Sequence, residues 1–305
     1  EVIRRIKDGV ASQSVKKQLG EINFISLEDL NLLDRQLLVE KHVISPQLAE
    51  DSTGKAVVLS PDETVSIMIN EEDHLRIQCI LPAFQIDEAW TIANAVDDAL
   101  EKELDYAFQE KFGYLTSCPT NVGTGLRASI MLHLPGLTLT KQAGKILSAL
   151  SKVGLTVRGL YGEGSDAIGD IFQVSNQITL GQTEEEILSN LKAVCTQIIE
   201  QEQVARKLLS NDWGLQLEDR VGRALGILSQ CKMISSEEAV KLLSDLRMGV
   251  GMGYIPGISI ATLNQLLVFI QPAILQKIHG GNLLPQERDV KRAQLINSKF
   301  KNNNC

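Results

Sequence analysis

No stretch of this chain is apolar for long enough to cross a bilayer. The longest apolar run in its second half, Leu263 to Leu275, is interrupted by Asn264, Gln265, Gln271 and Pro272, whereas a spanning helix needs about 20 mainly apolar residues. The first twenty residues carry Arg4, Arg5, Lys7, Asp8, Lys16 and Lys17 without a continuous apolar core, which excludes a secretory signal. A cytoplasmic protein is expected, with no membrane contact. The five cysteines, at 79, 118, 195, 231 and 305, are odd in number and widely spaced, so neither a disulfide framework nor a CxxC zinc site is indicated. A basic surplus is also missing: the net charge is −8, which argues against a nucleic-acid surface, because nonspecific affinity for phosphate backbones needs a positive field. An acidic surface attracts basic protein segments instead.

What remains is an ordinary folded composition. At 305 residues, 44% hydrophobic and 22% charged, the chain can bury a substantial core and divide into one large domain and a smaller one. Ala56 to Asn70 reads as a hairpin. Val57 to Leu59 lead into a Ser-Pro-Asp-Glu turn, after which Val65, Ile67 and Ile69 alternate with Thr64, Ser66 and Met68. In the next strand, Leu75 to Leu81, the residues Leu75, Ile77, Cys79 and Leu81 share one face, leaving Arg76 and Gln78 on a polar one. A helix is expected over Asp87 to Lys111, then the loop GYLTSCPTNVGTG at 113 to 125, then a strand from Arg127 to Leu134. Strands follow over Leu155 to Arg158 and Ile171 to Leu180, joined by a glycine-rich turn. Thr183 and Glu186 form a capping box for a helix running towards Ala205, and Ser235 with Glu238 forms another within a helical region that includes Leu263 to Ile274 and Val290 to Ile296. The expected domains are 1–205 and 206–305, the second all helical.

Three arginines, Arg76, Arg127 and Arg158, stand at strand edges or beside turns, where guanidinium forks suit phosphate oxygens. The string NEEDHLR at 70 to 76 puts Glu71, Glu72 and Asp73 in a loop between strands, a common location for reacting groups.

NEEDHLR, then CPTNVGTGLRAS, then RGLYGEGS, in that order, resembles the catalytic domain of the phosphagen (ATP:guanidino) kinases. A following helical domain, without a preceding one, resembles the bacterial protein arginine kinases of that superfamily. The resemblance implies an α+β fold, an antiparallel sheet flanked by helices of the glutamine-synthetase-like type, followed by a small all-α domain. It implies Glu72 and Glu163 as the carboxylates that grip a guanidinium, and Cys118 as the family's reactive cysteine, orienting it electrostatically. It implies ATP with Mg²⁺, the phosphates clamped by Arg76, Arg127 and Arg158, and no dedicated protein metal ligand. By the same resemblance the backbone of Arg127, Ala128, Ser129, Ile130 and Met131, and that of Arg158, Gly159, Leu160, Tyr161, Gly162 and Glu163, lines the nucleotide site, with His42 a further contact. Family members begin with a segment like SSRIRLAR, bringing two more phosphate-binding arginines. Nothing here matches it, and the chain opens at Glu1, so the catalytic domain reads as N-terminally incomplete.

In the helical region, RDVKRA at 288 to 293 matches the family's RDxxRA motif, which implies a phosphoarginine pocket of Arg288, Asp289 and Arg292. The expected function is transfer of the γ-phosphoryl of ATP to protein arginines. The partners implied are proteins with exposed arginine, an activating zinc-binding protein, a Clp-type ATPase and a stress repressor, and a homodimer is compatible with the motifs. The alternative is a noncatalytic phosphoarginine-binding adaptor with an incomplete ATP site.

Overall fold

The computed structural model describes residues 1–159 and 168–301. They form two compact units, Glu1–Ala128 with Asn176–Lys192, and Ser129–Ser175 with Ala193–Cys305.

The first unit opens with helices α1 (Val2–Val10) and α2 (Gln13–Leu19), followed by β1 (Asn23–Ser26), α3 (Leu32–Glu40) and α4 (Pro46–Glu50). Strands β2 (Ala56–Leu59), β3 (Val65–Ile69) and β4 (Leu75–Cys79) join β1 in an antiparallel sheet of order β1-β2-β3-β4, with Ala56 opposite Ile69 and Ile67 opposite Ile77. Ala56, Val58, Val65, Ile67 and Ile69 meet Ile6 and Val10 of α1, Val15 and Leu19 of α2, and Val96 and Leu100 of α5 (Ile86–Glu101). On the other face, Val57, Leu59 and Met68 meet Leu38 of α3 and Leu48 of α4. Every residue of β2 and β3 is therefore buried. The residues that alternate with Val65, Ile67 and Ile69 are covered too, and Ser66 and Met68 are buried. Periodicity reports which way side chains point; whether helices cover that side is a tertiary matter.

The helix expected to reach Lys111 stops at Glu101. The amides of Glu103 and Leu104 both close on the Leu100 carbonyl at 2.9 Å, and Leu104 and Tyr106 tuck against the core. The chain then forms a short hairpin, β5 (Phe108–Gln109) with β6 (Gly113–Tyr114), in which Phe108 and Tyr106 meet Tyr114 edge to face.

The second unit holds β7 (Ser129–His133), α6 (Pro135–Leu139), α7 (Ala143–Ala149), β8 (Leu155–Gly159) and β9 (Ile171–Asn176), with sheet order β7-β9-β8 and β7 antiparallel to β9. The strand expected to reach Leu180 ends at Asn176. Helix α8 (Glu184–Gln230) starts at the expected capping box, with Thr183 N donating to Glu186 Oε2 at 3.0 Å and Glu186 N to Thr183 Oγ1 at 3.2 Å. It passes 205 without a break and bends at Trp213, whose φ of −132° is not helical. Then come α9 (Ser236–Gly251), α10 (Ile260–Phe269), α11 (Pro272–Ile278) and α12 (Pro285–Lys301). Ser235 Oγ caps α9 by accepting from Glu238 N at 3.1 Å. The single helix expected over 263–274 is two, because Pro272 starts a new helix and disfavours helical geometry at Gln271. Leu217, Val221 and Leu228 of α8, Leu243 and Leu246 of α9, Leu263 and Leu266 of α10, and Ala293 and Ile296 of α12 share one core. Antiparallel sheets flanked by helices, followed by a helical C-terminal region, make this an α+β fold. Among the described residues no helix is long and apolar enough to cross a membrane.

Candidate active site

The loop between β3 and β4 is a tight connection. Asn70 adopts φ of 58°, a left-handed conformation that Asn tolerates better than most residues. Its side chain donates to the Gly54 carbonyl at 2.8 Å, and its amide donates to His74 O at 3.2 Å. That turn presents three consecutive acids in three different environments. Glu71 points inward: Ser45 Oγ donates to its Oε1 at 2.6 Å, Arg76 Nη1 to the same oxygen at 3.3 Å, and Glu72 N to Oε2 at 3.1 Å. Burial opposes ionisation of Glu71, but the Ser45 hydrogen bond, the Arg76 charge and the Glu72 amide outweigh it and hold the carboxyl below its ordinary value. Ser45 also caps α4, accepting from Leu48 N at 3.1 Å, so one hydroxyl ties that helix to the acidic loop.

Asp73 points the other way. Its Oδ1 accepts from Ser117 N at 2.6 Å and its Oδ2 from Asn121 Nδ2 at 3.3 Å, while Asn121 Nδ2 also donates to Glu72 Oε2 at 3.4 Å. These bonds draw the acidic loop against the loop that carries Cys118. Glu72, between its two anchored neighbours, keeps an exposed carboxylate. Cys118 is half-buried, with Sγ 3.0 Å from Thr120 Oγ1, and its carbonyl accepts from Thr116 Oγ1 at 2.8 Å and Asn121 N at 3.0 Å.

The cysteine loop is held from beneath by a segment distant in sequence. Thr179 Oγ1 makes contacts of 2.9 and 2.7 Å with the carbonyls of Thr120 and Val122. Asn176 receives Ala128 N at 2.8 Å and donates to Leu126 O at 2.9 Å and Ile178 O at 3.1 Å. Gly123, at φ of 114°, passes so close that a Cβ there would sit 2.2 Å from Thr179 O, so only glycine fits. The inward use of Asn176's side chain also explains why β9 ends there.

Of the expected site residues, Glu72, Cys118 and Arg76 come together in the first unit, with Arg76 exposed beside Glu71. His42 is exposed at φ of 61°, and its carbonyl accepts from Gln78 Nε2 at 2.8 Å. Arg127 is exposed and Ala128 buried at the end of the same unit. Ser129, Ile130 and Met131 lie on β7 of the second unit, Ile130 turned inward and the other two outward. Arg158 and Gly159 close β8. Leu160, Tyr161, Gly162 and Glu163 lie outside the described residues.

In the helical region Arg288 Nη1 donates to Leu283 O at 3.1 Å. The Arg292 guanidinium is buried, with Nε donating to Ile270 O at 2.9 Å and Nη1 to Ile234 O at 2.8 Å and Asp289 Oδ1 at 2.6 Å. Sequence reasoning names Glu71 and Asp73 only as members of an acidic string, and it misses Ser45, Asn121, Asn176 and Thr179. Asn121 lies inside the motif loop, but nothing in the neighbourhood of Asn176 or Thr179 signals a supporting role.

Residues 1–205 match the family model described as ATP:guanido phosphotransferase, C-terminal catalytic domain. The chain belongs to the ATP:guanido phosphotransferase family. Residues 214–304 match the Protein-arginine kinase McsB C-terminal domain, beginning one residue after the bend at Trp213. The Protein-arginine kinase of Pelotomaculum thermopropionicum is 57% identical over 301 residues, covering 99% of this chain and 85% of that protein. That of Moorella thermoacetica is 57% identical over 295 residues, covering 97% and 84%. Among solved structures, a lombricine kinase is similar with a TM-score of 0.55 at 25% identity, over 66% of this chain and 58% of that one.

Proposed function

We propose that this chain transfers the γ-phosphoryl group of ATP to arginine side chains of other proteins. The observation that carries the reading is that Asn121 Nδ2 donates to both Glu72 and Asp73, while Ser117 N donates to Asp73, which sets the Glu72 carboxylate beside the Cys118 loop. A guanidinium is protonated near neutral pH and its nitrogens are poor nucleophiles, so a fixed carboxylate must both orient it and accept a proton as the N–P bond forms. Glu72 fills that role, with Glu163 as the second carboxylate matching the fork of donors. Cys118 orients the cation electrostatically without forming a covalent bond.

The nitrogen attacks the γ-phosphorus, the bond to the bridging oxygen breaks, ADP leaves and the guanidinium proton passes to Glu72. Little covalent chemistry falls to the protein, so positioning and charge supply the rate. Arg76, Arg127 and Arg158 neutralise the phosphates, and the backbone of 127–131 and 158–163 with His42 lines the nucleotide. Among the described residues no group of three or more His, Cys, Asp or Glu could hold a metal. Mg²⁺ would be held through the nucleotide's own phosphates and would neutralise their charge.

The same reading places the catalytic domain at 1–205 and a phosphoarginine-sensing helical domain at 206–305, in which Arg288 and Asp289 meet the ligand and the buried Arg292 fixes Asp289 from within. It also makes the protein cytoplasmic, with a Clp-type ATPase, a zinc-binding activator and a stress repressor as partners. Incubation with labelled ATP, Mg²⁺ and a basic protein is expected to give acid-labile label on arginine. In Glu72→Gln the rate should fall by about 10²- to 10⁴-fold, with an unchanged unfolding midpoint. Label found only on hydroxyl side chains, or full activity in Glu72→Gln, would overturn the proposal.

A further inference from the structure

A cavity of about 320 Å³ lies within the second unit, and Met131 is its one overlap with the proposed nucleotide-binding stretch. Three elements supply its charged lining: β7 with His133, α8 with Glu202 and Arg206, and α9 with Arg247. Glu202 is buried, and its charge is fully answered. Its Oε1 accepts from Gly136 N at 2.9 Å and Arg206 Nε at 2.6 Å, and its Oε2 from Leu137 N at 2.9 Å. Its one ion-pair partner among the described residues is Arg206.

Arg247 is a second cation in the cavity. It is half-buried, and among the described residues it has no ion pair or hydrogen bond. Burial, and then the neighbouring Arg206 charge, push its pKa down. Two guanidiniums thus share one cavity with one carboxylate. His133 adds no charge of its own, because burial and then Arg247 and Arg206 hold its pKa at about 2. Ser244 Oγ donates to Asp170 Oδ2 at 2.7 Å and lies 2.8 Å from His133 Nε2, which makes that nitrogen the protonated one of a neutral ring. Gly251, one turn after Arg247, keeps the space open: a Cβ there would come within 3.0 Å of Arg206 Nη1. Leu134, Ile199 and Ile260 add apolar wall, and low polarity strengthens any charge interaction inside.

We propose that this cavity binds a small oxyanion, a phosphate or carboxylate group, on Arg247 and Arg206. An unpaired, partly desolvated guanidinium is costly unless an anion meets it, and paired arginine forks suit oxyanions. The inference does not depend on phosphoryl transfer, because its readout is binding alone.

Inorganic phosphate is titrated by calorimetry into the full chain carrying Arg76→Met and Arg288→Met, which weakens phosphate binding at the proposed nucleotide and helical sites. Binding is expected to persist there, and to weaken about tenfold or more when Arg247→Met is added, the usual effect of removing a charged hydrogen-bond donor. Gln203→Glu, at an exposed cavity-lining position, adds a near-isosteric carboxylate without removing a cation and is expected to cause a comparable loss. Acetate titrated in parallel identifies which oxyanion is preferred, and either preference upholds the site. Phosphate affinity unchanged in both Arg247→Met and Gln203→Glu, or absent before either is introduced, would overturn it.

Discussion

Two arginine–carboxylate pairs in this protein share a chemistry and differ in which partner is buried. In the Arg76–Glu71 pair, 3.3 Å apart, the acid side chain is 8% exposed and the arginine 45%. In the Arg292–Asp289 pair, 2.6 Å apart, the arginine side chain is 2% exposed and the acid 29%. The buried member must be saturated, since an unmet charge away from water costs several kcal/mol. Glu71 is accordingly met by Ser45, Glu72 N and Arg76, and Arg292 by Ile270 O, Ile234 O and Asp289. The exposed member keeps groups to spare. Beyond its contact with Glu71 the Arg76 guanidinium is open to solvent, whereas Arg292 joins α12 to the end of α10 and the start of α9.

The largest effect expected from this contrast is on stability. Arg292→Ala removes the cation that two buried carbonyls and Asp289 depend on, and urea unfolding should register a loss of about 3–5 kcal/mol. A loss below about 1 kcal/mol would erase the distinction between the pairs. Arg76→Ala should behave in the opposite way, with a stability change under about 1 kcal/mol, as for exposed pairs, but a fall of about 10²- to 10³-fold in kcat/KM for ATP, as when a charge-stabilising donor is lost. The smallest effect concerns pH. Glu71's folded pKa lies below its ordinary value of 4.5, so the fold favours the carboxylate. That stabilisation is complete above the ordinary value and lost as pH falls through the folded one. Between about pH 6 and about pH 3 the wild type should therefore lose more stability than Glu71→Gln, and identical acid limbs would show that Glu71 is not held as described.

Much of the fold is legible in the sequence because its signals are local. The capping boxes at Thr183 and Ser235 and the inward set Leu75, Ile77 and Cys79 stand where residue type and spacing put them. Boundaries shift where distant contacts override local preference. The helix after Asp87 ends early because Leu104 and Tyr106 join the core, and β9 ends where Asn176 turns its amide to the Leu126 to Ala128 segment. Pro272 itself signals the break that the apolar spacing over 263–274 hides. Helices α2, α3 and α4 open on caps at Ser12, Asn31 and Ser45 that the sequence reading does not use, yet together with α1 and α5 they bury both faces of the first sheet.

The candidate site divides along the same line. Glu72 and Cys118, the groups proposed to act on the substrate, sit in strings whose residue types suggest that chemistry, so their order along the chain is enough to nominate them. Sequence alone determined the family, the acidic and cysteine loops and the arginines, because chemistry is carried by residue type and short-range order. The tertiary structure decided which acid of 71, 72 and 73 is left exposed, which member of each arginine–carboxylate pair is buried, and that Asn176 and Thr179 support a loop some 50 residues earlier, with Thr179 bonded to Thr120 at a separation of 59 residues. Such choices depend on what lies across from a side chain in space. Hydrogen bonds and desolvation act over a few ångströms, whatever the distance along the chain.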